Sequence, residues 1–142
     1  MDERVKQVII LRSKFPDRKG EFRKLRTGKY VAQGAHASQM ALKEFEDIYS
    51  VDILNNKEPF HPWKSMFDVW HNETMTKIVL YVETEEEILE LAKIVENMKI
   101  PFSLIKDRGL TEFNNEVMIT ALGIGPWIAS KIDEITKNLP LF

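Results

Sequence analysis

Lys29, Gln33 and His36 stand at positions i, i+4 and i+7 of a stretch with helical patterning. At 100° per residue they fall within an arc of about 60°, so a cation, an amide and an imidazole share one polar face. Such a face can grip an anion or a polarised carbonyl. Spacing alone nevertheless favours a plain solvated helix face, because three polar residues in register are common. A second group is Asp107, Arg108, Thr111 and Thr120. A carboxylate just past a strand end serves as a general base or as a turn cap, and ahead of a glycine the cap is the commoner fate. Thr120 interrupts an apolar strand, where a β-branched residue is also unremarkable.

Other chemistries find less support. The chain has no cysteine, which removes disulfides, thiol nucleophiles and Cys-bearing zinc sites. His36, His61 and His71 have no metal-like spacing, so no metal is implied. Gly123-Ile124-Gly125-Pro126 lacks the lysine of a phosphate-binding loop and reads as a turn and helix start. No Gly-x-Ser-x-Gly elbow occurs.

The elements that must position these residues follow from periodicity. Val8, Ile9, Ile10 and Leu11 predict a buried strand over 5–12. A basic loop at 13–27 carries the breakers Pro16 and Gly20. A helix is expected from 28 to 45, with Val31, Ala35, Ser38, Leu42 and Phe45 as the stripe to bury. An insertion at 46–62 reads mostly as loop, and a short helix follows over 63–70. A second strand spans 76–83, and Thr84 with Glu87 forms a capping box for the next helix. Pro101 stops that helix before a third strand at 102–106. A fourth strand at 117–122 precedes a helix opened by Pro126. The order β-α-(α)-β-α-β-β-α implies one α/β domain over 1–142. Its expected architecture is a mixed four-stranded sheet, three parallel strands and one antiparallel, with helices on both faces. Sites in such sheets form beyond the carboxyl ends of the parallel strands, where the start of the first helix and the 107–116 turn both lie.

The formal net charge is −2, but it is unevenly spread. Eight basic residues between Arg12 and Lys29 face two acidic ones, a local surplus that fits either a polyanion partner or a solvated loop. Arg18, Lys19, Arg23, Lys24 and Arg26 are its candidate nucleic-acid contacts. No apolar run approaches the roughly 20 residues of a membrane span, and no signal peptide is recognisable. The expected compartment is the cytoplasm, with no membrane partner.

Gly28-Lys29-Tyr30-Val31-Ala32-Gln33-Gly34-Ala35-His36-Ala37 resembles the Gly-Lys-x-x-Ala-Gln-x-x-His-Ala helix start of type 2 peptidyl-tRNA hydrolases. The capped acidic helix from Thr84, the turn Asp107-x-Gly109-x-Thr111, and Thr120 followed by Gly123-Ile124-Gly125-Pro126 are similar to further stretches of that family in the same order. Trp70 also sits where the family tends to carry a tryptophan. This chain departs from the pattern in Arg108, in Asn114-Asn115-Glu116-Val117 and in two longer loops. The resemblance implies cofactor-free hydrolysis of the ester between a peptide and the tRNA 3′-terminal ribose, by a protein that is usually a homodimer. It implies Lys29, Asp107, Thr111 and Thr120 as catalytic residues, Asp107 deprotonating water and Lys29 standing by the carbonyl or terminal phosphate. Gln33, His36 and Arg108 become substrate-binding candidates. The alternatives are a hydrolase of another acylated tRNA, or a catalytically silent tRNA-binding or interaction module.

Overall fold

The computed structural model describes residues 4–17, 19–54, 63–107 and 116–142, with backbone alone for Phe45, 48–54 and Trp63. Strand β1 (Val5–Arg12) carries Val8 and Ile10 on one face and Ile9 and Leu11 on the other, as a period of two requires. Both faces are covered, which is why Val8 to Leu11 form an unbroken apolar run. The basic segment holds a two-stranded hairpin, β2 (Phe15–Pro16) with β3 (Phe22–Arg23). Then come α1 (Thr27–Leu54), α2 (Trp63–Asn72), β4 (Lys77–Val82) and α3 (Glu85–Asn97). The chain ends with β5 (Phe102–Asp107), β6 (Met118–Ile128) and α4 (Ala129–Thr136).

The main sheet is mixed, in the order β4-β1-β6-β5. The expectation of three parallel strands needs correction, for β1–β4 is the one parallel pair among the described strands. The long β6 inserts between β1 and β5 and pairs antiparallel with both. Its eleven residues are mostly buried, so burial favours a central place over an edge. Pro126 also corrects an expectation. It lies inside β6 after a cis peptide bond, and the last helix begins at Ala129. Helix α1 likewise runs to Leu54, through part of the segment read as loop.

One face of the sheet packs Ile88, Ala92 and Val95 of α3 and Ile132 of α4 against Val8, Ile10, Leu122 and Ile124. Each fully buried aliphatic side chain contributes roughly 1.5–3 kcal/mol. Thr84 caps α3, its hydroxyl accepting from the Glu87 backbone N–H at 3.3 Å. The outer edge of β4 is covered by the chain's end. There Tyr81 N–H donates to the Pro140 carbonyl and Phe142 N–H to that of Val79.

Helix α1 lies on the other face, turned about a quarter turn from the expected orientation. Tyr30, Gln33, Ala37 and Ala41 are buried, whereas Val31 is 68% exposed and Ala35 is exposed. The cause is a close approach to the sheet. A Cβ at Gly123 would stand 2.2 Å from the Ala37 carbonyl oxygen, so only small helix residues fit over β6. Polar bonds fix the same placement. The buried Gln7 amide donates to the carbonyls of Ser38 and Gly125 at 3.1 Å and accepts from the Ser38 hydroxyl at 2.6 Å. The Ser103 hydroxyl donates to Glu44 at 2.7 Å. The start of α1 is thereby held at the end of the sheet where β1, β4 and β5 finish.

Candidate active site

Lys29 occupies the first turn of α1, and Asp107 is the last residue of β5. The close packing of α1 over β5 and β6 brings them together, Lys29 Nζ lying 2.6 Å from Asp107 Oδ2. Their side chains are 24% and 13% exposed. That is open enough for a small group to reach and enclosed enough to strengthen the field of both charges. Seventy-eight positions separate the two residues, and only the fold joins them.

One turn along α1, Gln33 points into the sheet and is 4% exposed. The wholly buried Thr120 hydroxyl donates to its Oε1 at 2.5 Å. A bulge makes this possible. Ile105 pairs with Ala121 and Lys106 with Ile119, which leaves Thr120 as the extra residue of β6. Strict alternation would turn Thr120 away from Ala121's face, but the bulge puts both toward α1. Oε1 of Gln33 is thus committed to Thr120, one helical turn from Lys29.

The remaining candidates fall unevenly. His36 is exposed and stands about 10 Å farther along the helix than Lys29, so the structure does not join it to the pair. Arg108, Thr111 and Arg18 lie outside the described residues. Lys19, Arg23, Lys24 and Arg26 are exposed along the hairpin and the link to α1, at the same end of the sheet. Among the described residues no three His, Asp or Glu side chains gather as a metal would need.

Two structurally important residues escaped sequence reasoning. Arg12, buried at the end of β1, donates to the carbonyls of Lys14 at 2.8 Å and Ile119 at 3.3 Å, and its guanidinium covers the Phe15 ring. Burial lowers its pKa; Glu85, 3.6 Å away, opposes that shift. Tyr30 donates its hydroxyl to the Arg12 carbonyl at 2.9 Å and accepts from Leu25 N–H at 3.3 Å, while burial raises its pKa. Together they clamp both ends of the basic hairpin beside the start of α1. An arginine closing an apolar strand is the available signal for Arg12, but seven basic neighbours obscure it.

On the far side of α1 an apolar cavity of about 630 Å³ opens over β1 and β4, lined by Ile9, Leu11, Val31, Ala35, Val79 and Phe142. It stands toward the sheet edge opposite β5 and does not include Lys29 or Asp107.

Comparison with known proteins matches residues 5–142 to the family described as "Peptidyl-tRNA hydrolase PTH2". The chain is 34% identical over 137 residues to a peptidyl-tRNA hydrolase of Saccharolobus solfataricus, covering 96% of this chain and 98% of that one. A peptidyl-tRNA hydrolase of Methanopyrus kandleri is 36% identical over 136 residues, with 96% and 97% covered.

Proposed function

We propose that this chain, which belongs to the PTH2 family of peptidyl-tRNA hydrolases, hydrolyses the peptide–tRNA ester through its Lys29–Asp107 pair. The observation that carries this reading is the 2.6 Å contact between a half-open ammonium and a carboxylate from distant parts of the chain. Asp107 takes the proton of a water as its oxygen bonds to the ester carbonyl carbon. The carbonyl oxygen becomes an oxyanion, which the Lys29 ammonium stabilises. When the bond to the ribose oxygen breaks, the proton on Asp107 passes to that oxygen, leaving free peptide and tRNA. Gln33, held by Thr120, orients the substrate through its N–H₂ group. Thr120 is then a positioning residue, because its own hydroxyl is buried and committed.

The hairpin cations Lys19, Arg23, Lys24 and Arg26 lie against tRNA phosphates, a reading supported by their exposure at the same end of the sheet. Thr111 completes the catalytic set on the strength of the motif alone, and Arg108 and Arg18 are substrate and tRNA contacts on the same footing. The enzyme works as a homodimer in the cytoplasm. The exposed Val31 and Phe142 at the rim of the apolar cavity favour self-association. Among the described residues no helix is long and apolar enough to cross a membrane. The experiment is turnover of N-acetyl-aminoacyl-tRNA by Asp107→Asn. Loss of a general base removes about 10²–10⁴-fold in kcat, and wild-type turnover would end the assignment.

A further inference from the structure

Phe22 is 63% exposed, on a hairpin strand beside the exposed cations Arg23 and Lys24. It is thus a large apolar ring left in water within a run of cations. The hairpin is built so that this ring faces outward. Phe15 pairs with Arg23 and is buried under the Arg12 guanidinium. Pro16 pairs with Phe22, and by alternation these two share the opposite, outward face. Between the strands, Asp17 Oδ1 accepts from the backbone N–H groups of Lys19 at 2.8 Å and Glu21 at 2.9 Å, and Gly20 takes φ +78°. Below the hairpin, Leu25 is buried and its N–H donates to the Tyr30 hydroxyl, one residue from Lys29. The strand that carries the ring is therefore anchored at its base next to the candidate catalytic lysine.

We propose that Phe22 is a stacking platform for an unpaired base of the tRNA 3′ end, on the reading that the basic hairpin binds tRNA. The ester sits at the terminal ribose, so the single-stranded end must lie near Lys29 while the phosphates behind it meet Lys19, Arg23, Lys24 and Arg26. A phenyl ring has no hydrogen bond to offer a phosphate. Every base has a π-face, and stacking on it is tolerant of sequence. Chain length permits the arrangement, since seven residues from Phe22 to Lys29 span at most about 25 Å.

The test compares wild type, Phe22→Ala, Phe22→Trp and Phe22→Leu with N-acetyl-aminoacyl-tRNA at several salt concentrations, after thermal melting confirms each is folded. Stacking predicts that Phe22→Ala raises KM by about five- to 150-fold, with kcat within about twofold and an unchanged salt slope. Tryptophan at this position restores KM and leucine does not. An unchanged KM in Phe22→Ala overturns the proposal. So does full rescue by leucine, which would mark a merely hydrophobic contact such as one with protein. A parallel variant neutralising Lys19, Arg23, Lys24 and Arg26 separates the two ideas. If its salt slope matches wild type, the tRNA reading of the hairpin fails. If the slope falls while Phe22→Ala is silent, stacking alone fails.

Discussion

Replacing Thr120 by Val keeps the shape of the side chain and deletes one buried hydroxyl. The deleted group donates at 2.5 Å to Gln33 Oε1, and both residues are shielded from water. Oε1 then loses its donor and cannot turn to solvent. Leaving a buried acceptor unmet costs about 1–3 kcal/mol. For a chain of 142 residues that lowers Tm by about 3–12 °C. The catalytic effect follows from what the bond holds. Freed from Thr120, the Gln33 amide samples other rotamers, and turnover falls by about tenfold, an effect of roughly 1.4 kcal/mol on the barrier. KM for N-acetyl-aminoacyl-tRNA stays within a factor of about three, because the hydroxyl itself is buried away from substrate. Thr120→Ser keeps the donor and restores both turnover and most of the stability. Differential scanning calorimetry and steady-state kinetics on the pair of variants read out both quantities. The reasoning fails if Thr120→Val melts and turns over like wild type. It also fails if stability is intact while turnover falls a thousandfold, since that pattern belongs to a hydroxyl touching the reacting atoms.

Gly123→Ala would place a Cβ 2.2 Å from the Ala37 carbonyl oxygen and force α1 off the sheet. A stability loss of about 3 kcal/mol, the upper end of overpacking costs, is expected, measurable by urea denaturation together with falling turnover. Neutralising Lys19, Arg23, Lys24 and Arg26 should flatten the slope of log Kd against log salt by up to about three to four, read by filter binding of tRNA. Arg12→Gln removes the charge holding the Lys14 and Ile119 carbonyls and the Phe15 ring. Limited proteolysis should then cut the hairpin at least about tenfold faster.

Elements with strong local signals were legible in the sequence. β1, β4 and β5 announced themselves by short apolar runs, and α3 by Thr84 and Pro101. The misread face of α1 had a different origin. Val31 and Leu42 form the more apolar stripe, but helix orientation is decided by Gly123, 86 positions later than Ala37, and no periodicity within the helix reports it. The sequence pattern ends β6 too early because Gly123, Gly125 and Pro126 are turn-like residues. Their places in the strand depend on close neighbours that local pattern does not reveal. For the site, Lys29 and Asp107 stood out by type and by resemblance, while their contact and the bulge that aims Thr120 at Gln33 arise only from strand pairing. Gln33 was expected on an open polar face and is instead buried, because the quarter turn of α1 carried it inward.

Lys29 and Asp107 acting as one unit at the ester is best tested by a double-mutant cycle in single-turnover cleavage of N-acetyl-aminoacyl-tRNA. Lys29→Met should lose about 10²–10³-fold and Asp107→Asn about 10²–10⁴-fold. A pair working on the same bond makes the double variant no slower than Asp107→Asn by more than about tenfold. Losses that multiply in full, or a double variant as fast as wild type, would contradict the account.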